Sequence, residues 1–452
     1  MGGISEYLKA QGYGEVDGRI YGYIELWKSW YAGKVRSFHC YRQYNGRDRI
    51  ARERKSLGMA KCVAEDWANL LLNERVTISA GNESLNAIIH DVLSDNRFGC
   101  RANQLIELTF ALGTGAFVEF ADGGEIVIDY IRADMIFPLT EVNGKITECA
   151  FASKRRAGEK ELVYLNIHTL DGRGCYIVEN LMFEQSGENG ALRPIALPEG
   201  MQERVETGSP VPLFQIIRPN IVNNIVLGSP MGISVYANAI DQLEGVDLVY
   251  DSYCNEFRLG KKRLIVPMTF AQIEMEQDGV TLPVFDSNDT EFFAANLGGD
   301  GGGKIQEINM ELRSEAHETA LKTALNALSL KCGMGTGRYR FEEQSVKTAT
   351  EVISAKSELY QNVRKHEILL GDAIEGVCRA VASLLGLGQD FSVDTRFDDS
   401  IIEDTAAERT RDIQEVRDGL MAKWEYRVKW RGEDEATAKK MVAREAFVPI
   451  EI

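Results

Sequence analysis

The spacing of apolar residues along the chain switches between two periods, and the switches divide it. From position 59 to 74, Val63, Trp67, Leu70 and Leu71 recur every three to four residues, which predicts an amphipathic helix. Further helices are predicted over 83–95 and 101–113. Between 114 and 185 the period falls to two, and Asp122-Gly123-Gly124, Asn143-Gly144 and Asp171-Gly172 punctuate the runs as hairpin turns. These signals predict an antiparallel meander, so the first half reads as α+β. Residues 186–212 are polar with Gly and Pro and read as an excursion loop. Near the start, residues 1–58 mix basic loops with aromatic pieces, and Trp27, Trp30 and Tyr31 predict a packed helix edge.

The helical period returns at 233, with Pro230 and Ser234 as start signals. Two apolar stripes run along this helix. One holds Tyr236, Ile240, Leu243, Tyr250 and Phe257; the other holds Val235, Val246, Val249 and Tyr253. Asp241, Glu244, Asp247 and Asp251 share a third face, and Arg258, Lys261, Lys262 and Arg263 cluster at the far end. Cations at a helix C-terminus are also what the macrodipole favours. Residues 264–310 read as strand-like and loop-rich. A second helix over 314–332 places Leu321, Leu325, Leu328 and Cys332 on one stripe, with Ser314 as its cap. The capping-box pattern Thr348-x-x-Glu351 opens a very long helix to about 385, with Leu370, Ile374, Val377, Val381 and Leu384 on its stripe. The remaining 388–452 is charged and helical in pieces, and carries Trp424 and Trp430.

Composition narrows the function. The net charge is −17, from 51 basic and 68 acidic residues, so no basic face is advertised globally. Eight cysteines lie no closer than Cys40 and Cys62, with no Cys-x-x-Cys, which points to reduced thiols. The histidines at 39, 90, 168, 317 and 366 show no metal-ligand spacing, so no metal is expected. No run of apolar residues is long enough for a membrane span, and the first residues have neither the basic start nor the apolar core of a secretory leader. They also fit the myristoylation pattern poorly, with Ser5 and Glu6 out of place.

Two glycine-rich runs resemble phosphate loops superficially. Residues 298–304 satisfy Gly-x-x-x-x-Gly-Lys, but Ile305 stands where a Mg²⁺-binding hydroxyl is required. The run Gly333-Met334-Gly335-Thr336-Gly337 follows a helix rather than a strand, so the dinucleotide-fold context is absent. No cofactor is expected at either. The second run supplies a helix stop and a mobile connection, followed by Arg338, Tyr339, Arg340, Phe341 and, further on, Lys347. An exposed loop with these cations suits transient phosphate contact. Lys154, Arg155 and Arg156 read as a solvated strand edge. No nucleophile or zinc-protease motif occurs, and the chain is not expected to be an enzyme.

Three stretches, in order, carry a resemblance: GMAKCVAEDWANLLLNE (58–74), LSLKCGMGTGRYRFEEQSVKTATEVISAKSELY (328–360) and GLMAKWEYRVKWRGEDE (419–435). With the order of predicted elements, they make the chain similar to portal proteins of tailed bacteriophages, in the branch typical of long-tailed phages and prophages of Gram-positive bacteria. The resemblance implies an α+β subunit that assembles, typically twelvefold, into a ring at one capsid vertex. Double-stranded DNA would enter and leave through it. It further implies a wing over 1–225, a first stem helix within 226–259, and an αβ clip over 260–312. A second stem helix would fall within 313–332, a tunnel loop at 333–346, a long wing helix at 347–387 and a crown at 388–452.

By this resemblance Arg338, Arg340 and Lys347 face passing DNA, Gly333, Gly335 and Gly337 are the loop's hinges, and Asp241, Glu244, Asp247 and Asp251 form an acidic channel wall. The partners implied are the terminase large subunit, which supplies the energy, the head-tail adaptor, the major capsid and scaffolding proteins, and no membrane. The site of action would be the virion, after assembly in the host cytoplasm. The alternative from another class is a capsid-associated structural or scaffolding protein without a DNA channel.

Overall fold

The computed structural model describes residues 2–13, 17–44, 46–73, 76–158, 160–185, 191–267, 273–275, 281–283, 292–295, 305–339, 349–397 and 405–445. The N-terminal part holds helices α1 (Gly2–Ala10), α2 (Arg19–Tyr31) and α3 (Arg36–His39), then a two-stranded antiparallel ribbon of β1 (Cys40–Tyr44) and β2 (Arg49–Glu53). Helix α4 (Met59–Leu71), strand β3 (Thr77–Ala80) and helices α5 (Glu83–Asp95) and α6 (Phe98–Leu112) follow. The aromatic edge of α2 is core: Tyr21, Trp27 and Trp30 are buried. So is the whole expected stripe of α4, Val63, Trp67, Leu70 and Leu71. Helix α5 starts where Asn82 Oδ1 accepts the Leu85 amide at 3.0 Å, an N-cap that satisfies an otherwise orphaned donor.

Beyond α6 the alternating segment forms two sheets rather than one meander. Strands β4 (Gly115–Asp122) and β5 (Glu125–Arg132) make the first hairpin. A 3₁₀ turn at Ala133–Met135 then redirects the chain into β6 (Ile136–Val142), β7 (Lys145–Ala157), β8 (Lys160–Leu170) and β9 (Tyr176–Gln185), all antiparallel. The Asn143-Gly144 signal is well matched, since both residues have positive φ (52° and 75°), the geometry that favours these residue types in tight hairpins. The excursion expected over 186–212 is not all loop. It contains β10 (Leu192–Ile195) and β11 (Arg204–Glu206), both paired to β9. Strand β12 (Phe214–Ile217) closes the smaller sheet in the order β12-β4-β5.

The second half mounts a helix pair on this body. Helix α7 (Ile240–Leu259) begins seven residues later than expected, because 233–239 is used to anchor it. Tyr236 is fully buried and donates its hydroxyl to the Trp27 carbonyl at 3.0 Å. Beside it Gly232 lies so close to the end of α6 that a Cβ there would stand 2.2 Å from the Gly113 carbonyl; Gly113 itself has φ +91° and no room for a side chain.

After α7 come β13 (Arg263–Pro267), β14 (Ile273–Met275), β15 (Thr281–Pro283), β16 (Phe292–Ala295) and β17 (Gln306–Ile308). Strand β13 pairs parallel to β16 and antiparallel to β17. Among the described residues of this segment the regular elements are strands, and much of the αβ clip expected over 260–312 lies outside the described residues. Helix α8 (Ser314–Lys331) returns antiparallel along α7, as the pairs Glu256–Arg313 and Ser252–His317 show. Ser314 is its first residue and makes no capping hydrogen bond.

Helix α9 (Ala349–Leu384) has 36 residues and lays Ile374, Val377 and Val381 onto the β12-β4-β5 sheet. Its expected capping box lies outside the described residues. Strand β18 (Val393–Arg396) then pairs antiparallel with β3, more than three hundred residues earlier in the chain. The segment expected to begin a separate C-terminal unit at 388 therefore first returns to the N-terminal half. Helices α10 (Thr405–Asp418), α11 (Lys423–Arg431) and α12 (Glu435–Glu445) complete the chain, with Trp430 Nε1 donating to Asp412 at 2.9 Å.

Candidate channel segment and assembly surface

The two halves of α7 have different surroundings. In its first half Leu243, Val246, Asp247 and Asp251 are buried. In its second half Tyr253, Phe257 and Leu259 are exposed, and Leu248 is exposed between the two. The two predicted stripes do not divide the helix into a covered side and an open side within this chain. Both are buried where the body covers the helix and both emerge where it does not.

The four carboxylates divide the same way. Asp241 is exposed and Glu244 half-buried. Asp247 Oδ1 accepts the Leu57 amide at 2.8 Å, and its Oδ2 lies 3.0 Å from His39 Nε2. Because His39 Nδ1 accepts the Val35 amide at 2.9 Å, the other ring nitrogen is the donor to Asp247. Asp251 accepts the Lys55 amide at 3.0 Å and the Asn255 side-chain amide at 3.0 Å. The expected acidic wall is thus corrected for Asp247 and Asp251. Residues 54–58 run past α7 with no strand partner there, their amides need acceptors, and these two carboxylates supply them. Helical spacing shows that four acids share a face, but not that a strap covers half of it.

The basic cluster at the end of α7 is partly structural. Lys262 Nζ pairs with Glu307 at 2.7 Å, and Arg263 donates to the Leu259 carbonyl at 3.3 Å, at the helix end where carbonyls lack partners. Arg258 and Lys261 are exposed.

The glycine-rich run is docked rather than free over 333–339. Gly333 (φ +76°) stops α8: its amide donates to Leu330, and the Met334 amide donates back to Ser329 at 3.0 Å. The Asn362 side chain donates to the Gly333 carbonyl at 2.9 Å, Trp67 Nε1 to the Cys332 carbonyl at 3.1 Å, and Ser329 Oγ to the Gly335 carbonyl at 2.6 Å. Met334 is buried. Gly335 and Gly337 also have positive φ, 70° and 80°. Arg338 Nε lies 3.2 Å from Asp66 Oδ2 on α4, and Tyr339 packs against the core, its hydroxyl held un-ionised by burial and by Asp66. The expectation of an exposed loop is corrected for this part. Arg340 and Lys347 lie outside the described residues. Sequence reasoning missed Asp66, Trp67 and Asn362 as the loop's anchors. Trp67 stood on a predicted core stripe, but nothing local links any of the three to position 333.

Among the described residues no group of three or more His, Cys, Asp or Glu is placed to hold a metal ion, and no helix is long and apolar enough to cross a membrane. A family model described as phage portal protein, SPP1 Gp6-like, matches residues 15–439, and the chain belongs to this family. No curated protein matches it. Membership makes it a bacteriophage capsid protein of DNA packaging, and implies a homo-oligomeric ring at the capsid vertex.

Proposed function

From that membership, we propose that α7 and α8 are the stem of the ring and that the exposed half of α7 is where one subunit meets the next. The observation that carries this reading is the apolar surface left on the helix pair. Phe257 is 45 % and Leu259 55 % exposed, with Leu312 and Leu330 exposed on and beside α8. A head-to-tail contact that closes into a ring covers such a surface on every copy at once.

The channel so formed passes double-stranded DNA during packaging and ejection. Asp241 and Glu244 are the carboxylates of the predicted wall that remain for the channel side, where negative charge keeps the duplex from sticking. Arg340 and Lys347 are the cations of the tunnel loop that reach the phosphates; Arg338, tied to Asp66, secures its root. Gly335 and Gly337 supply the positive φ of the docked run that leads from the stop at Gly333 into the loop. The clip at 260–312, with Arg258 and Lys261 at its base, docks the terminase large subunit and the head-tail adaptor. The outer surface meets the major capsid and scaffolding proteins. The number of subunits is twelve in the capsid, the stem is flanked by a wing over 1–225 and 349–384, and α10–α12 form the crown.

The test is assembly of Phe257→Asp with Leu259→Asp, followed by mass photometry and electron microscopy. Rings with a central hole for the parent chain and free subunits for the variant are expected. Intact rings from the variant would remove the stem assignment.

A further inference from the structure

The β1–β2 ribbon is a cationic island in an acidic protein. Residues 34–55 hold eight Lys and Arg against two carboxylates, six net positive, so the rest of the chain carries −23. The ribbon is a bare pair of five-residue strands, and most of its side chains are exposed. By register, Tyr44 faces Arg49 and Arg42 faces Ala51, so Arg42, Tyr44 and Arg49 share one side. Tyr44 is 65 % exposed, and Arg47 stands at the tip beside Asp48.

These charges contrast with several other arginines of the molecule. Arg132, Arg204, Arg313 and Arg396 each sit within 4 Å of a carboxylate. Lys34, Arg36, Arg42, Arg49 and Lys55 form no ion pair with a described carboxylate. The ribbon is nevertheless firmly mounted. The Arg54 guanidinium lies 4.5 Å over the Tyr41 ring and 4.7 Å over Phe38, and also donates to the Phe38 carbonyl. The Arg54 amide donates to His39, which is itself bonded to Asp247, and the following backbone is held by Asp247 and Asp251. Charge repulsion among unpaired guanidinium groups is thus sustained on a rigid base, which is the arrangement of a binding surface rather than of a solvated loop.

We propose that this ribbon is a second nucleic-acid contact, separate from the channel, that takes the phosphate backbone of double-stranded DNA without regard to sequence. Arginine-rich surfaces match phosphate bidentately, and a two-stranded ribbon is of a width that the major groove of B-DNA admits. Exposed Tyr44 adds an amphipathic ring between the two outward arginines. Charge complementarity selects a polyanion. The carboxylates of a second copy are the competing polyanion, and the experiment separates the two. The proposal stands on the ribbon's own charge and mounting and does not require the stem assignment.

The experiment is fluorescence anisotropy of a labelled duplex of roughly 30 bp of random sequence, titrated with the full chain across a salt series. Arg42→Gln with Arg49→Gln is compared with Arg155→Gln with Arg156→Gln, an equal charge loss on β7, where Arg155 and Arg156 are exposed. The ribbon variant is expected to raise Kd about tenfold at low salt and to reduce the slope of log K against log salt by about 2. The β7 variant should stay near the parent, and Arg42→Lys with Arg49→Lys, which keeps the charge but loses the bidentate fit, should fall between the parent and the Gln variant. Parent protein that binds no duplex, a ribbon variant that binds like the parent, or equal loss in both Gln variants each overturns the proposal. So does loss of rings in the ribbon variant alone, which assigns the surface to a second copy. Absence of rings from the parent chain would instead count against the stem reading and leave the ribbon result intact.

Discussion

The first and second halves of α7 are built from similar residues and have opposite roles. Leu243, Val246, Asp247 and Asp251 are covered by the body, and both buried carboxylates are matched to amides or to His39. Six residues further on, Phe257 and Leu259 lie in the open. The first half finishes its interactions inside one chain; the second half leaves them for another. A helix face is therefore not polar or apolar in use until its neighbour is known, and the same carboxylate spacing yields a backbone acceptor in one turn and a free surface in another.

Five measurements break or sharpen this contrast. The largest effect is expected at the exposed half. Burying a Phe or Leu is worth roughly 1.5–3 kcal/mol each, so Phe257→Asp with Leu259→Asp should weaken subunit association on the order of a hundredfold or more. Its urea midpoint as a free subunit should not move; a large drop would show that these side chains belong to the chain's own core.

The buried half should respond in the opposite way. Asp247→Ala leaves the Leu57 amide and His39 unpaired inside the protein and is expected to cost about 3 kcal/mol in urea unfolding. Asp241→Ala, two positions earlier on the predicted face, should stay within about 0.5 kcal/mol. Equal effects would dissolve the distinction between the two ends of the predicted acidic face. Gly113→Ala tests the joint that sets α7 on the body. Its positive φ and the Gly232 carbonyl 2.6 Å from an added Cβ predict a loss of about 2 kcal/mol.

The body alone should also carry a dependence on pH. Burial lowers both His168 and His366 to about 3. The unfolded chain takes up protons below about 6.5 while the folded one does not, so stability is present above 6.5 and is lost as pH falls toward 3. Each histidine contributes up to about 1.4 kcal/mol per pH unit in that window. Glu119, fully buried and pushed well up by desolvation, works in the other sense, since its stabilising contribution declines as pH rises past the ordinary carboxylate range. A net slope near one histidine's worth is expected between pH 4.5 and 6.5, read by urea midpoints at closely spaced pH, and a flat profile would contradict it. The smallest effect is expected for Glu256→Gln. Arg313 holds the Glu256 carboxyl down at about 2, but the pair is on the surface of the helix crossing, and the thermal midpoint should be unchanged.

Local periodicity alone determined that α4, α5, α6, α8 and α9 are helices and which stripe of α4 is buried, because i, i+3, i+4 spacing is a property of one segment. Turn chemistry likewise determined the hairpins at Gly123 and Asn143-Gly144, since positive φ selects its residues locally. Composition determined that the chain is acidic, and the glycine at 333 that α8 must stop. Only the tertiary structure decided that β18 pairs with β3, that Asp66, Trp67 and Asn362 hold the run after α8, that Asp247 and Asp251 serve the strap instead of an open wall, and that the basic segment at 34–55 stands up as a ribbon. Each of these depends on which residues meet across long separations. Such meetings are set by the packing of whole elements, and no window of neighbouring residues contains them.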